Sequence, residues 1–238
     1  MQIMQPQVHP LIKRLRSLLW RTRVYGKLRM FPSQVRSRRF DARHGVRTAG
    51  CVDLRELGVE GQSVAHANDY EPINTKLFGK ILRTLPIKHE DFVFIDFGSG
   101  MGRALLLAAE FPFRQIIGIE FSSRLHGIAE DNIRRYENPA RRCADVESVC
   151  TDAVAYAIPP AQTVFFLYNP FKETVMTNVL VNIRQSLKQH PREVWIIYVN
   201  PRLDRLLDGD DMFTKIASGK GYTIRYTIYR NTAEKKSG

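Results

Sequence analysis

Residues 91–110 read DFVFIDFGSGMGRALLLAAE and set the architecture of the chain. The run at 92–95 is short, apolar and rich in β-forming residues, which predicts a buried strand ending at Asp96. Glycines follow at positions 98, 100 and 102, and residues 103–110 have the composition of a helix packed against a sheet. Strand, glycine-rich turn and helix is the order that lets backbone approach a nucleotide-like ligand.

The glycine spacing distinguishes two kinds of cofactor. The dinucleotide fingerprint requires a third glycine three residues after the second, where this chain has Arg103. The chain instead reads G-x-G-x-G, with a carboxylate, Asp96, two residues before the first glycine. A second carboxylate, Glu120, closes the next apolar run at the distance where such folds place an acidic group on ribose hydroxyls.

This pattern is similar to motif I of the class I S-adenosylmethionine (SAM) methyltransferases. A tight strand-to-helix turn without a ligand is the alternative interpretation. We expect a cofactor site formed by Asp96, Gly98, Ser99, Gly100, Gly102 and Glu120.

Length and composition restrict the class of protein. The 238 residues suffice for one substantial α/β domain, and 44% hydrophobic residues indicate a folded globule. We find no apolar run of about 20 residues and no secretory signal. Three cysteines and six scattered histidines show no metal-ligand spacing, so we expect reduced thiols, a cytoplasmic protein and no metal.

Positive charge is concentrated near the amino terminus. Residues 11–47 contain twelve Lys or Arg and one acidic residue, Asp41, whereas the rest of the chain is about neutral. Leu11, Leu15, Leu18 and Tyr25 recur at helical spacing between basic residues. Such a helix suits an anionic membrane surface or nucleic-acid phosphates. It equally suits a helix that packs its leucines on the domain and leaves its arginines in water.

The chain divides into three parts by composition. Residues 1–50 form a basic arm that ends in an irregular connector over 31–50, residues 51–230 form the catalytic domain, and residues 231–238 form a polar tail. Strands alternate with helices up to residue 199, and two closing strands follow at 212–217 and 221–229. We therefore expect a Rossmann-like, mostly parallel seven-stranded sheet with an antiparallel carboxy-terminal pair.

Three further groups are candidate site residues. Tyr70 and Glu71 precede a helix predicted from residue 73 and lie where an element often covers the cofactor; an N-cap region is the alternative. Asp152 follows a short predicted strand, at the position where class I methyltransferases often have an acidic residue that meets the adenine amino group; a helix cap is the alternative.

The strand at 163–168 runs directly into Asn169, Pro170 and Phe171. An amide and a carbonyl beside a proline can accept hydrogen bonds from a substrate amine at this edge of the sheet. An ordinary strand exit, with the aromatic ring in the core, is the alternative.

From about residue 70 to 229 the chain resembles class I SAM-dependent methyltransferases, and in particular the non-SET histone-lysine methyltransferases and their bacterial relatives. The resemblance is carried by FIDFGSGMGRALLLAA, the upstream Tyr-Glu-Pro, and the strand ending in Asn-Pro-Phe. The chain lacks the second proline of the N-P-P-[YF] motif that adenine and glutamine methylases carry. It also lacks the asparagine-phenylalanine pairing that is typical of the histone enzymes.

The resemblance implies direct displacement, in which an acceptor nitrogen attacks the SAM methyl carbon as the carbon–sulfur bond breaks. The glycine loop would hold the methionine part, Glu120 the ribose and Asp152 the adenine, while Asn169 would position the acceptor. Glu71 or Tyr168 could assist in deprotonating a lysine.

Three functions are compared. The favoured one is N-methylation of a protein side chain such as lysine. The others are a nucleic-acid methyltransferase that uses the arm, and a non-catalytic adaptor with a SAM fold; a dehydrogenase is a remote fourth.

Overall fold

A computed structural model describes residues 23–52, 68, 70–221 and 224–232. Its helices are α1 (Arg23–His44), α2 (Thr75–Arg83), α3 (Arg103–Ala108), α4 (Ser123–Arg135), α5 (Glu173–Gln189) and α6 (Arg205–Asp208). Its strands are β1 (Val93–Phe97), β2 (Gln115–Glu120), β3 (Val146–Cys150), β4 (Thr163–Tyr168), β5 (Val194–Val199), β6 (Phe213–Gly221) and β7 (Ile224–Asn231).

The strands form one seven-stranded sheet in the order β3-β2-β1-β4-β5-β7-β6. Neighbours from β3 to β5 are parallel, and β7 pairs antiparallel with both β5 and β6. The sheet reverses its order between β1 and β4, the point at which open α/β sheets bind ligands beyond their carboxyl ends. The predicted fold class is confirmed.

Both faces of the central strands are buried, which explains their continuous apolar sequences. On one face, α2 and α3 cover the sheet with a core that includes Phe78, Phe94 and Phe166. On the other, α5 contributes Val179 and Ile183 to a second core. The strands β1, β4 and β5 therefore form a rigid support for the loops at their carboxyl ends.

The amino-terminal connector differs from the prediction. Residues 31–44 are helical, because α1 continues to His44, so the irregular connector predicted over 31–50 is wrong for that part. Phe40 of α1 stacks against Tyr136, with ring centroids 6.2 Å apart. Val46, which follows the helix, is buried with Leu106 and Tyr136. These tertiary contacts stabilise a segment whose local sequence is rich in turn-forming residues.

The carboxy terminus also differs slightly from the prediction. The first closing strand, β6, is longer than predicted, and β7 begins and ends later than predicted, so that it includes Asn231 of the predicted polar tail. The Asn231 side chain accepts a hydrogen bond from the backbone of Val194 at 2.7 Å and donates one to the carbonyl of Arg192 at 2.9 Å. Because both bonds reach the start of β5, Asn231 belongs to the sheet.

Some predictions lie outside the described residues. They include the leucines at 11, 15 and 18, a short helix predicted at 53–57, and the tail beyond residue 232. Within the described part of the chain, no helix is long and apolar enough to cross a membrane. The same residues contain no cluster of three or more potential metal ligands.

Candidate active site

A cleft opens at the carboxyl ends of β1, β2 and β4 and measures about 640 Å³, including its solvent-open part. In the described part of the chain it is lined by Asn68, Tyr70, Glu71, Pro72, Ile73, Asp96, Gly98, Ser99, Gly100, Arg103, Ala104, Glu120, Phe121, Leu125, Phe166, Tyr168, Pro170 and Phe171. Most of the predicted site residues therefore lie together around one cleft.

The glycine loop, residues 98–102, forms the floor of the cleft. Gly98 and Gly100 have φ angles of +77° and +54°, a backbone conformation that other residues rarely adopt. A Cβ atom on Gly98 would lie 2.6 Å from Cβ of Pro170, and one on Gly100 would lie 2.1 Å from the Tyr70 ring. The two glycines thus allow the loop to contact the segments on either side of it.

Two carboxyl groups lie beneath this loop. Glu120 is buried and accepts hydrogen bonds from the backbone of Gly100 at 2.8 Å and of Ser122 at 2.9 Å. Burial raises the pKa of Glu120, and these backbone donors oppose the shift. Burial, followed by the nearby charge of Glu120, raises the pKa of Asp96 well above the usual aspartate range. A cationic ligand group beside Asp96 would reverse this shift.

Two of the predicted cofactor residues differ in their surroundings. Ser99 is buried, and its hydroxyl makes no hydrogen bond with the described residues. Gly102 begins α3 and faces Ala129 of α4, so it is not among the described residues that line the cleft.

A second hollow of about 320 Å³ contains Asp152. It shares Gly98, Phe121 and Phe171 with the main cleft, so the two hollows are adjacent. The Asp152 carboxylate accepts a hydrogen bond from the backbone of Val154 at 2.8 Å. Asp152 therefore caps a turn and not a helix.

The exit of β4 forms the opposite wall of the cleft. Asn169 adopts a left-handed conformation with φ of 44°, although it precedes a proline. Its carbonyl accepts a hydrogen bond from the Asn68 side chain at 2.8 Å, and the carbonyl of Pro170 accepts one from the Asn68 backbone at 3.0 Å. Within the described part of the chain, the Asn169 side chain has no hydrogen-bond partner. Phe171 is buried in the core and also borders both hollows.

An acidic group and a phenol meet at the rim of this wall. Glu71 is exposed on its outer side and faces the Tyr168 hydroxyl. Partial desolvation raises the pKa of Glu71, and interaction with Tyr168 opposes the shift. Burial, and then the charge of Glu71, raises the pKa of Tyr168, so its hydroxyl stays protonated. That hydroxyl is buried and lacks a partner with hydrogen-bond geometry among the described residues.

The N-cap alternative for Tyr70 and Glu71 does not describe their environment. Asn74 caps α2, because its side chain accepts a hydrogen bond from the backbone of Leu77 at 3.0 Å. Tyr70 and Glu71 precede this cap and line the cleft.

Sequence reasoning missed several residues that shape the cleft. Asn68 is not among the predicted site residues, and Arg103 enters the prediction only as a departure from the dinucleotide fingerprint. The Arg103 guanidinium is buried in the cleft wall and forms a salt bridge with Asp41 at 3.1 Å. The sequence does mark both members of this pair. Arg103 is a basic residue in an otherwise apolar helix, and Asp41 is the single acidic residue of a basic arm.

The chemistry of the lining fits SAM. Two buried carboxyl groups, Asp96 and Glu120, lie beside the glycine loop, which suits a ligand that carries an ammonium group. The adjacent second hollow combines the apolar residues Ile119, Ala153 and Val175 with a carboxylate, as a flat base with an amino group requires.

Solved structures with TM-scores above 0.5 support the fold. The proposed methyltransferase yhhF from Escherichia coli aligns with a TM-score of 0.52 at 14% identity, covering 69% of this chain and 90% of that one. The mitomycin 7-O-methyltransferase MmcR aligns at 0.51 and 12%, covering 66% and 54%. An RNA methyltransferase from Salinibacter ruber, solved with S-adenosyl-L-homocysteine, aligns at 0.47 and 18%, covering 71% and 97%.

The family comparison is more specific than the fold. A search of curated proteins found no match. The family model of the histone methylation protein DOT1 matches residues 63–192, which is more than half of the chain and includes the glycine loop and the β4 exit. This match decides in favour of a methyltransferase over an adaptor or a dehydrogenase. The chain belongs to the DOT1 histone methylation family and is a SAM-dependent methyltransferase.

Proposed function

We propose that this enzyme N-methylates a protein side chain, and that the acceptor is lysine. The observation that carries the proposal is the acidic Glu71 at the acceptor side of the cleft. Among the described residues that line the cleft, Asp96 and Glu120 serve the cofactor in this proposal, Glu71 remains for the acceptor, and the basic Arg103 is paired with Asp41. A carboxylate at this position favours a cationic acceptor and disfavours phosphates. The description of the family as histone methylation proteins supports a protein acceptor.

The cofactor residues take separate parts in this proposal. The glycine loop holds the methionine part of SAM, and the Asp96 carboxylate binds its ammonium group. Glu120 uses its remaining lone pairs for the ribose hydroxyls, because two of its four acceptor sites already serve Gly100 and Ser122. Asp152 receives the adenine amino group in the second hollow. Bound SAM would supply an electrophilic methyl group: the acceptor nitrogen bonds to the methyl carbon as the carbon–sulfur bond breaks, and S-adenosylhomocysteine leaves.

The acceptor residues must deliver a neutral amine. A lysine has a pKa of about 10.4, so it must lose a proton before its lone pair can attack. Glu71 lies at the rim with a raised pKa and is our candidate for receiving that proton, directly or through water. The Asn169 side-chain oxygen accepts a hydrogen bond from the amine, and Phe171 borders the space where the two ligands meet. Orientation of this kind can account for a large part of a methyl-transfer rate.

The acceptor class can be tested with radiolabelled SAM. The purified enzyme is incubated with core histones and, separately, with protein and RNA fractions of a cell extract. Label that protease releases and nuclease does not, located on lysine by mass spectrometry, is the expected result. The Gly100→Asp variant serves as the control for contaminating enzymes. Label on another protein nitrogen would exclude lysine but keep the protein acceptor.

A nucleic-acid acceptor is the second candidate, and the end of α1 favours it. Arg38, Arg39 and Arg43 are exposed there, and such residues can contact phosphates. If nuclease releases the label, and if labelling is lost at salt concentrations that weaken binding to nucleic acid, the acceptor is a nucleic acid and not a protein. The acidic cleft is the reason we place it second.

A further inference from the structure

The position of Tyr70 depends on the end of the amino-terminal arm. Its hydroxyl donates a hydrogen bond to the carbonyl of Thr48 at 2.9 Å. Its backbone exchanges two hydrogen bonds with Val52, at 3.2 and 3.1 Å. Burial raises the pKa of Tyr70, so the hydroxyl remains a donor at all working pH values. The Tyr70 ring is thereby held against Gly100 of the glycine loop.

Thr48 is itself held by Asp41. Thr48 is completely buried, and both its backbone N–H and its hydroxyl donate to the Asp41 carboxylate at 2.7 Å. The backbone of Ala49 donates to the same carboxylate at 2.6 Å. One carboxylate therefore fixes the chain where it leaves α1, and we call residues 37–49 the arm base.

Arg103 joins the arm base to the cofactor loop from below. It is the residue directly after Gly102, and its guanidinium donates to the Thr48 hydroxyl and forms a salt bridge with Asp41 at 3.1 Å. The Phe40 ring lies 4.1 Å from the guanidinium carbon, within the range of a cation–π contact. The arm base is thus bonded to both sides of the loop: to Arg103 at its end and to Tyr70 over its centre.

The segment that carries Tyr70 also reaches the exit of β4. We call Glu71 and residues 168–171 the acceptor wall. We call Asn68 and residues 70–72 the strap. At one end Tyr70 is bonded to the arm base, and at the other Asn68 is bonded to the carbonyls of Asn169 and Pro170. The strap therefore joins the arm base to the strand exit that faces the acceptor.

We propose that the arm base is a positioning element of the SAM site: Asp41, Thr48 and Arg103 hold Tyr70 against the glycine loop and thereby set the affinity for SAM. By linkage, SAM binding must stabilise the docked arm base to the same extent. Residues 37–49 then belong functionally to the catalytic domain, although their sequence reads as part of a basic arm. The inference uses the cofactor and does not depend on the identity of the acceptor.

A double-mutant cycle on the full-length chain tests the proposal. Calorimetric titration gives the Kd for SAM of the unaltered chain, Tyr70→Phe, Asp41→Asn and the double variant. Tyr70→Phe keeps the ring against Gly100 and removes only the bond to Thr48, so we expect about a fivefold weaker Kd with little change in thermal midpoint. Arg38→Gln is the matched control, because it neutralises an exposed residue of the same helix; its Kd should not change.

The cycle distinguishes positioning from general destabilisation. We expect Asp41→Asn to weaken SAM binding about tenfold and the double variant to be no weaker than Asp41→Asn alone, because both changes break one chain of contacts. Losses that multiply to about fiftyfold in the double variant would overturn the proposal. So would a Kd that stays unchanged in both single variants.

Hydrogen exchange provides a second test that does not require Asp41→Asn to fold. Saturating SAM should slow exchange of the Thr48 and Ala49 amides, which are bonded to Asp41, in the unaltered chain. The protection should be smaller in Tyr70→Phe at equal SAM occupancy. Equal protection in both chains, or none in either, would show that the arm base and the SAM site are independent.

Discussion

The two walls of the cleft satisfy their polar groups in different ways. The cofactor wall consists of Asp96, the glycine loop, Arg103 and Glu120. In this wall, Glu120 already accepts two backbone hydrogen bonds, and the Arg103 guanidinium forms a salt bridge with the Asp41 carboxylate. In the acceptor wall, the Asn169 side chain makes no hydrogen bond within the described part of the chain, and the Tyr168 hydroxyl faces Glu71 without hydrogen-bond geometry. The buried Ser99 hydroxyl is the exception in the cofactor wall, because it too makes no hydrogen bond with the described residues. A wall whose groups are mostly satisfied is preorganised, whereas unsatisfied groups are available to a ligand. We therefore expect changes in the first wall to alter SAM binding and changes in the second to alter turnover.

The largest effect is expected at Gly100. Gly100→Asp places a Cβ where the Tyr70 ring lies, in a left-handed backbone conformation, and adds a carboxylate near Asp96 and Glu120. SAM binding should fall by more than about a hundredfold in calorimetric titration, since steric overlap and like charge act together.

Gly127→Asp is the control for this change. Gly127 lies in α4, and a Cβ there would have no atom within 4 Å. This variant should bind SAM normally. A Gly100→Asp protein that is folded and still binds SAM would contradict the assignment of the cofactor wall.

The second effect is a pH dependence of SAM binding that arises at Asp96. The raised pKa of Asp96 means that the free protein keeps this proton at pH values where ordinary aspartates have lost it. If the carboxylate binds the SAM ammonium, binding must expel the proton. Affinity should therefore increase with pH, by up to about tenfold per unit, and level off above the raised pKa.

Asp96→Asn separates this group from its neighbour. The variant should bind SAM more weakly at neutral pH, and the rise of affinity with pH that arises at Asp96 should be absent from its profile. Asp91→Asn, an exposed position just before β1, should retain the original profile. A profile identical in Asp96→Asn and the unaltered chain would assign the pH dependence to another group.

The cofactor wall was largely predictable from the sequence. A buried strand, three glycines at fixed spacing and a carboxylate at the end of the next strand are local patterns, and parallel pairing brings them to one edge of the sheet. Asp96, Gly98, Gly100 and Glu120 consequently lie together, as predicted.

The contacts of the strap and the arm base were not predictable in the same way. Asp41 and Arg103 are 62 residues apart in the chain, and Asn68 and Asn169 are 101 apart. No periodicity links such positions, and the composition of residues 31–50 favoured an irregular connector over the helix that tertiary packing stabilises. Long-range polar pairs are set by the assembled fold, so a single sequence shows their members without showing their partners.

The third effect concerns the acceptor wall and is expected at Asn169. Asn169→Ala should lower kcat about tenfold while changing the Kd for SAM less than twofold, because it removes an acceptor of the substrate amine and leaves the glycine loop intact. Single-turnover methyl transfer, measured beside calorimetric titration, separates the two quantities.

Asn200→Ala is a closely matched control. Asn200 follows β5 as Asn169 follows β4, precedes a proline and is left-handed with φ of 51°. Neither asparagine is among the described residues that line the cleft, but Asn169 lies between Tyr168 and Pro170, which do line it, whereas the neighbours of Asn200 do not. Both variants place alanine in a conformation that costs about 1 kcal/mol. A similar loss of turnover in both would mean that Asn169 acts through backbone conformation alone.

The smallest effect is expected at Glu71, whose role as proton acceptor is the most demanding part of the proposed mechanism. An ionised Glu71 is required for that role, so kcat should decline as pH falls through its raised pKa. Glu71→Gln should lower kcat severalfold near neutral pH and remove this decline from the pH profile, with SAM affinity nearly unchanged.

Glu90→Gln is the control for Glu71→Gln. It changes an exposed residue in the turn before β1 and should retain the decline of kcat at low pH. If Glu71→Gln keeps the full pH profile, the acceptor wall positions an amine that solvent has already deprotonated. If Glu71→Gln weakens SAM binding and turnover equally, Glu71 contributes to the cofactor wall, and the acceptor wall is limited to the exit of β4 at Asn169.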